Sequence, residues 1–278
     1  HAAKYNSNID VVKLILDAHP QAISEKDKYS DDFPLHYAAR YNSNVEVVKL
    51  ILEAYPQAVF EKDDFDMFPL HNAASNSNMK VIELILEAYP QAASEEDDGG
   101  RVPFHYAAEY NSNVDVVKFI LEAYPQVISE KNKYSGEFPL HNAAENNENL
   151  EVVKLIIKAY PQAIVKKDSH GDFPLHYAAR QNKNLEIVKI LYYMNPEVAE
   201  VAYDKDIYGY FRLRIDDNED QENSEVVKFL KKATDGTLVK AAIKIQHAWR
   251  ECRYNPDYKM CQKIQLEQLN IIYKDYLL

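Results

Sequence analysis

Apolar residues recur along this chain in stripes that are spaced as on one face of a helix. In the clearest stripe, the apolar residues stand at positions i, i+1, i+4, i+5 and i+8, namely Val47, Val48, Ile51, Leu52 and Tyr55. This spacing predicts a helix with a broad buried face. Related stripes return about every 35 residues, so the pattern predicts an all-helical chain built from one repeated unit.

A second, shorter helix is predicted ahead of each stripe. The segment Phe33-Pro34-Leu35-His36-Tyr37-Ala38-Ala39 returns four more times in related form, with its prolines at Pro34, Pro69, Pro103, Pro139 and Pro174. These prolines are 35, 34, 36 and 35 residues apart. Proline fits the first turn of a helix, where its missing N–H has no partner to lose. Paired alanines keep one helical face flat, so a neighbouring unit can approach closely.

The ends of the longer helices are also marked in the sequence. Ser43 or Asn44 can serve as an N-cap, and Glu46 is placed to close a capping box with Ser43. Tyr55-Pro56 is expected to end the helix, because a residue before proline is disfavoured in the helical region. An asparagine recurs between the two helices of five units, where a positive φ is expected. These asparagines are Asn6, Asn42, Asn111, Asn147 and Asn182.

Motif and period together resemble the ankyrin-repeat family, whose first helix reads Thr-Pro-Leu-His-x-Ala-Ala and whose hairpin carries Asp-x-x-Gly. The resemblance extends from residue 1 to about 233 and implies a solenoid. Each unit of about 35 residues would supply a helix-turn-helix and a hairpin loop. The family's threonine before proline is replaced throughout, by Phe33, Phe68, Val102, Phe138 and Phe173.

The hairpin glycine of the family is kept as Gly100, Gly136 and Gly171 but is replaced by Asp31 and Asp66 in the first two hairpins. Those two turns are therefore expected to be strained or differently shaped.

Three regions are predicted along the chain. Ankyrin repeats occupy residues 1–205, a degenerate capping repeat residues 206–233, and a two-helix tail residues 238–278. The first repeat is expected to be truncated, because His1 aligns with Tyr37 and the Pro-Leu-His segment before it is missing. The chain is therefore expected to be a fragment.

Charge and composition limit the classes of partner and the cellular setting that the sequence allows. The net charge is −12, and residues 238–278 hold seven Lys or Arg against four Asp or Glu, which leaves −15 for residues 1–237. So acidic a surface argues against nucleic acid and anionic membranes as partners and permits a basic protein. No apolar run reaches the ~18 residues needed to cross a bilayer. Both cysteines, Cys252 and Cys261, lie in the tail, which fits a reducing, intracellular and cytoplasmic setting.

Catalysis and metal binding find no support in the sequence. There is no Gly-rich phosphate loop, no Cys/His ligand cluster and no Gly-x-Ser-x-Gly elbow, so no enzyme, cofactor or metal site is predicted. One histidine recurs in each unit, at His36, His71, His105, His141 and His176. Stacked helices lie ~8–10 Å apart, whereas zinc needs its nitrogens within ~2.1 Å. The ankyrin resemblance implies instead that these histidines hydrogen-bond between repeats.

The resemblance further implies that a partner protein binds a concave face formed by hairpin tips and first helices. The candidate positions at the tips are Tyr29, Phe65, Arg101, Tyr134 and His170. The candidate positions on the helices are Arg40, Tyr41, Glu109, Tyr110, Arg180 and Gln181. Exposed aromatic residues and arginines are frequent in binding hot spots. The alternative is that the tip aromatics pack on the neighbouring hairpin.

The tail carries a second candidate site. Ile245, Gln246 and Arg250 resemble the start of an IQ motif, which implies a calmodulin-like partner, although Glu251 and Asn255 depart from that motif. The alternative is an intramolecular helical hairpin that turns at Asn255. The tail is also similar to tails of ankyrin proteins from large amoebal DNA viruses, which would place the protein in the host cytoplasm.

The predicted function is that of a non-catalytic, monomeric scaffold or adaptor for protein–protein interaction. Two alternatives remain open: regulation by calmodulin through the tail, and substrate recruitment to a ubiquitin ligase. The second alternative rests on the resemblance to ankyrin proteins of large viruses, which often carry a ligase-recruiting module at the C-terminus. The tail itself lacks a clear F-box-like pattern.

Overall fold

The computed structural model of the 278-residue chain describes residues 2–195 and Phe229. These residues contain helices and no strands, and the helices repeat in pairs, so the predicted all-α ankyrin solenoid is confirmed there. The predicted capping repeat at 206–233, apart from Phe229, and the helical tail at 238–278 lie outside the described residues. The chain divides into two compact units, residues 1–184 and residues 185–278.

The first unit is built from alternating short and long helices. In chain order they are α1 (Ala2–Tyr5), α2 (Ile9–Ala18), α3 (Pro34–Tyr41), α4 (Val45–Ala54), α5 (Pro69–Ala73), α6 (Met79–Ala88), α7 (Pro103–Tyr110), α8 (Val114–Ala123), α9 (Pro139–Asn146), α10 (Leu150–Ala159) and α11 (Pro174–Gln181). Odd-numbered helices are the first helices of the repeats and carry the Pro-x-His motif from α3 onward. Even-numbered helices carry the apolar stripe.

Like helices stack on like helices along this unit. First helices contact the first helices of the next repeat, and second helices do the same from α2 to α10. The paired alanines make the close approach possible, since Ala38 and Ala39 are both fully buried. On the second helices, Val47 and Ile51 are buried as their stripe predicts. Each repeat therefore buries its apolar face only by contact with its neighbours.

The tyrosine before proline ends the second helices, as predicted. Tyr55 is the C-cap of α4, with φ −142° and ψ 79°, and its N–H still donates to the Ile51 carbonyl. The chain then forms a short 3-10 helix, which the sequence pattern does not predict. These turns are Pro20–Ile23, Pro56–Phe60, Pro90–Ser94, Pro125–Ser129 and Pro161–Val165. Their prolines stand at the first position, where the fixed φ is compatible with the turn.

The hairpins that follow are joined by backbone hydrogen bonds. The Asp64 N–H donates to the Ser30 carbonyl at 3.2 Å, and equivalent bonds link each later hairpin to the one before it. Asp31 and Asp66 adopt φ of 49° and 57°, in the left-handed region that glycine occupies in the later hairpins. The two turns are therefore not differently shaped, and strain at Asp31 and Asp66 stays a prediction, since a side chain is unfavourable at positive φ.

The recurring asparagines work differently from the prediction. Asn42 has φ −88° and ψ 120°, so the expected positive φ is wrong. Its side-chain amide donates instead to the Ala3 and Asn6 carbonyls of the preceding repeat, at 3.0 and 3.1 Å. Equivalent pairs of bonds are made by Asn76, Asn111, Asn147 and Asn182. The amide satisfies carbonyls at a helix end and fixes the spacing between repeats.

A second asparagine in each linker caps the following helix. Asn44, rather than Ser43, is the N-cap of α4, and its side-chain oxygen accepts from the Glu46 N–H at 3.0 Å. Its Nδ2 also donates to the Ser7 carbonyl of the preceding repeat at 2.7 Å. One side chain thus starts a helix and contacts the neighbouring repeat.

The third repeat contains a shorter first helix. Its α5 has five residues, whereas α3 has eight. The missing residue lies between His71 and Asn76, and Asn76 still reaches the Ala39 and Asn42 carbonyls at 2.9 and 3.2 Å. The deletion is therefore absorbed at the end of α5.

In the second unit, the described part consists of α12 (Leu185–Met194), Asn195 and Phe229. Tyr192 is fully buried, and its ring packs edge-on against Tyr193 and Phe229 with both centroid distances at 5.4 Å. None of the described helices is both long enough and apolar enough to cross a membrane.

Candidate partner-binding surface

Aromatic and imidazole side chains stand exposed on the hairpins. Tyr29 is 94% exposed, Tyr134 76% and Phe65 54%, and His170 is also exposed. Tyr29 and Tyr134 lie two residues before the positive-φ residue of their hairpin, and Phe65 and His170 lie one residue before it. Tyr29 and Tyr134 are so highly exposed that their rings do not pack on a neighbouring hairpin.

Arg101 was predicted at a tip, and the structure places it elsewhere. It follows Gly100, the positive-φ residue of its hairpin, and its side chain lies against the first helix of its own repeat. Its guanidinium lies 4.2 Å from the Tyr106 ring centroid and forms an ion pair with Glu109. Only 21% of the Arg101 side chain is exposed. The prediction of an exposed tip residue is wrong for Arg101, because its guanidinium pairs with the buried carboxylate of Glu109.

Glu109 is likewise buried rather than exposed on α7, at 5% relative exposure. Besides the ion pair with Arg101, it accepts a hydrogen bond from Asn146 Nδ2 of the next repeat at 3.0 Å. A carboxylate is retained in such a place only when it is paired and hydrogen-bonded. Two predicted binding residues thus form one structural ion pair within the fourth repeat, and the hydrogen bond from Asn146 links that pair to the next repeat.

The other predicted residues on the first helices are exposed. Tyr41 is 47% and Tyr110 52% exposed, and the Arg40 guanidinium lies 5.2 Å from the Tyr41 ring centroid. Arg180 forms a 2.9 Å ion pair with Asp172, and Gln181 donates to Glu145 at 2.6 Å.

We define the tip-and-helix surface as the candidate residues other than the buried pair. It comprises Tyr29, Arg40, Tyr41, Phe65, Tyr110, Tyr134, His170, Arg180 and Gln181.

Electrostatics on this side of the repeats follow a pattern that sequence reasoning missed. Repeats four and six each hold an ion pair between residues eight apart, Arg101 with Glu109 and Asp172 with Arg180, in opposite polarity. Repeat five, between them, has carboxylates at both positions. Glu137 accepts from Asn142 Nδ2 at 2.7 Å. Burial, and then the carboxylate of Glu137, raise the pKa of Glu145. The sequence signal for these ion pairs is the spacing of eight residues between an arginine and a carboxylate.

The recurring histidines are structural, as the resemblance implied. In three of the five, Nε2 contacts a carbonyl oxygen of the next repeat, at 3.0 Å for His36–Met67, 3.1 Å for His71–Arg101 and 3.2 Å for His141–Asp172. Nδ1 accepts the backbone N–H three residues earlier, at 3.3 Å for His36, so the ring also caps its own helix. Burial lowers the pKa of His71 to about 4 and that of His105 to about 3, which keeps both rings neutral. Among the described residues, no group of three or more candidate ligands could hold a metal ion.

Paired helices, hairpin fingers and an inter-repeat histidine define a helical-repeat protein with an exposed aromatic surface. The family model for ankyrin repeats (3 copies) matches residues 35–131 and again residues 124–201, more than half of the chain. The chain therefore belongs to the ankyrin-repeat family. Ankyrin repeats generally mediate protein–protein interaction and are typically non-catalytic modules. No curated protein matches the sequence.

Proposed function

We propose that this chain is a non-catalytic scaffold or adaptor that binds another protein through the tip-and-helix surface. The carrying observation is the exposure of Tyr29, Phe65 and Tyr134 on hairpins whose backbones are held in a continuous hydrogen-bonded series. Large aromatic side chains on a rigid frame lose little entropy on binding and are common hot-spot residues. Their identity changes between repeats while the frame stays constant, which favours recognition over stacking.

Charge supports a partner with a basic surface. The chain carries a net charge of −12. Repeat five presents Glu137 and Glu145 where repeats four and six each have one arginine, and no ion pair of either carboxylate occurs within the described residues. A lysine or arginine from a partner would complete the pattern, and opposite charge would also speed association.

The test compares two triple variants in affinity purification from cells. The first replaces Tyr29, Phe65 and Tyr134 by alanine. The matched control replaces three exposed apolar residues that lie off this surface, Leu14, Phe60 and Val165, which are 70%, 49% and 54% exposed. Both variants are first shown by circular dichroism and melting to be folded.

A protein recovered by the wild type and by the control, but at least about tenfold less by the tip variant, would support the proposal. Its affinity is then measured with purified components. Equal recovery by both triple variants would refute the surface.

The tail keeps its own alternatives. An array over 1–205, a cap at 206–233 and a helical tail at 238–278 remain our proposed domain layout. The IQ-like residues Ile245, Gln246 and Arg250 lie outside the described residues, so regulation by a calmodulin-like protein rests on their sequence match. A peptide spanning 238–278 that fails to bind calmodulin with or without calcium would remove this alternative. Recruitment to a ubiquitin ligase would require a cullin-ligase component to co-purify.

A further inference from the structure

Two positions that are eight residues apart carry charged side chains in most repeats. They lie two residues before and six residues after the motif proline. Repeat four has Arg101 and Glu109 there, repeat six has Asp172 and Arg180, and both pairs form ion pairs. Repeat two has an aspartate and an arginine at these positions, and repeat three has no charge. Where charges occur, one cation and one carboxylate are therefore the usual content of the two positions.

An arginine side chain fills the space between these positions in repeats four and six. Its guanidinium lies on the tyrosine ring three residues after the motif proline, 4.2 Å from the ring centroid for Arg101–Tyr106 and 4.8 Å for Arg180–Tyr177. The ion pair and this cation–π contact together hold the guanidinium in place. Both neighbours of repeat five therefore have a guanidinium between the two positions.

Repeat five has a carboxylate at both positions, Glu137 and Glu145. Both residues are half-buried, so each keeps surface that a ligand can reach. Glu137 accepts from the Tyr177 hydroxyl at 2.9 Å and from Asn142 Nδ2 at 2.7 Å, and Glu145 accepts from Gln181 Nε2 at 2.6 Å. These donors are neutral, and within the described part of the chain neither carboxylate forms an ion pair. Repeat five thus has two negative charges where its neighbours have a balanced pair.

A buried amide beside these carboxylates points to the same imbalance. Asn142 replaces the tyrosine of repeats four and six and is 2% exposed. Because its Nδ2 donates to Glu137, the amide lies directly against that carboxylate, and its Oδ1 has no hydrogen-bond partner among the described residues. Buried acceptors are rarely left without a donor. In repeat three, Asn72 instead leaves its Nδ2, a donor, without a partner. An unpaired acceptor next to unpaired carboxylates therefore distinguishes repeat five.

The electrostatics of Glu145 agree with this geometry. Burial raises the pKa of Glu145, repulsion from Glu137 and Glu109 raises it further, and Arg180 and Arg101 lower it. The net direction is upward, because both arginines are already paired with other carboxylates. A cation that bound between Glu137 and Glu145 would relieve this repulsion.

We propose that Glu137 and Glu145 together bind the guanidinium of one arginine side chain of the partner protein. That arginine takes in repeat five the place that Arg101 and Arg180 take in the neighbouring repeats. A planar guanidinium has N–H donors on more than one edge and can bridge two carboxylates, whereas a lysine ammonium is a compact point charge. The unpaired oxygen of Asn142 strengthens the negative potential from the buried side, and direct contact with it is not required. This inference rests on the proposed function for its partner and adds the residue type that the partner presents and where it binds.

The experiment titrates the full chain with N-acetyl-arginine-N-methylamide and with the lysine analogue at low salt, where ion pairs are least screened. NMR signals of the Gln181 and Asn142 side-chain amides and of the Glu145 backbone report on the site. Saturable shifts are expected, and the arginine compound should bind at least about threefold more tightly than the lysine compound.

Replacing both Glu137 and Glu145 by glutamine should weaken binding of the arginine compound at least about tenfold. The matched control replaces Glu53 and Glu122 by glutamine, which removes the same charge from α4 and α8, where both side chains are 64% exposed. This control should bind as the wild type does.

Glu145→Arg gives repeat five the polarity of repeat six and supplies the guanidinium from the chain itself. It should abolish binding of the arginine compound, which decides the matter if the double glutamine variant does not fold. Absence of saturable shifts in the wild type would overturn the proposal, as would equal weakening in the control or unchanged binding in folded Glu145→Arg. If the lysine compound binds as tightly as the arginine compound, the assignment to arginine is wrong.

Affinity purification separates this inference from the proposed function. A partner that is lost by the tip variant but recovered equally by Glu145→Arg and the wild type would refute the arginine site and leave the tip-and-helix surface standing. Saturable binding of the arginine compound, together with equal recovery of partners by both triple variants, would refute that surface and leave the arginine site standing.

Discussion

Replacing His71 or His105 by glutamine should make the protein less sensitive to acid. Both imidazoles are buried, and burial lowers the pKa of His71 to about 4 and that of His105 to about 3. In the unfolded chain a histidine has a pKa of about 6.5. Below that pH the unfolded state binds a proton that the folded state does not, so stability is lost as pH falls from about 7 toward about 4.

The magnitude follows from these pKa values. At about pH 5 an unfolded histidine is almost fully protonated, whereas the folded His71 and His105 remain almost fully neutral. Each residue then lowers the free energy of unfolding by about 2 kcal/mol relative to neutral pH. Glutamine cannot take up a proton, so each single variant should lose about 2 kcal/mol of the pH dependence, and the double variant about 4 kcal/mol.

The assay is urea unfolding, followed by circular dichroism, at about pH 7.5 and about pH 5. At neutral pH, His71→Gln should be the more destabilising of the two, because His71 also contacts the Arg101 carbonyl at 3.1 Å, and a hydrogen bond contributes about 1 kcal/mol. Exposed His19 provides the control substitution. If both His71→Gln and His105→Gln keep the pH dependence of the wild type, the inference that these imidazoles are buried and neutral is refuted.

Four further substitutions test the backbone and the core. Asp66→Gly should raise stability by about 1 kcal/mol, because Asp66 has φ 57°. Gly136→Ala should lower stability, because the added Cβ would clash with Ser169. Thermal melting measures both. Burial raises the pKa of Asp63 to about 6, so its stability contribution falls as pH rises from about 4 to about 6. Asp63→Asn should therefore stabilise by about 1 kcal/mol at neutral pH and lose that advantage near pH 4 in paired urea titrations. Leu70→Asp places a charge at a fully buried site and should cost several kcal/mol, so wild-type-like melting would contradict the stacked repeats.

The architecture was predictable because its signals are local and repeated. The motif proline starts the first helices from α3 to α11, and the tyrosine before the next proline ends the second helices from α4 to α10, so period and boundaries could be derived from single segments. The 3-10 turn at Pro56–Phe60 was missed because a proline followed by small and polar residues is equally typical of a loop.

Contacts between repeats were harder to predict than the repeats themselves. Asn42 was expected to adopt a positive φ, but its amide bonds Ala3 and Asn6, which lie 39 and 36 residues away. A single repeat does not contain those partners. Arg101 and Glu109 were expected to be exposed because charged residues usually are, and their burial depends on the ion pair between them.

The cleft of about 330 Å³ beside Val102, His105 and Phe138 shows a different limit. The only sequence signal for it is that Val102 stands where four other repeats have phenylalanine. What a missing ring leaves behind depends on three-dimensional packing, and no sequence pattern reports it directly.

The asparagine amides that join successive repeats have a consequence for how such a chain can change its length. Asn76 keeps both of its carbonyl partners although the segment from His71 to Asn76 is one residue short, so the register of the array is restored within that unit. A deletion near the end of a first helix is therefore not passed on to later units. Whole units can be added, removed or exchanged between such asparagines, and engineers could graft new hairpins here without realigning the rest of the array.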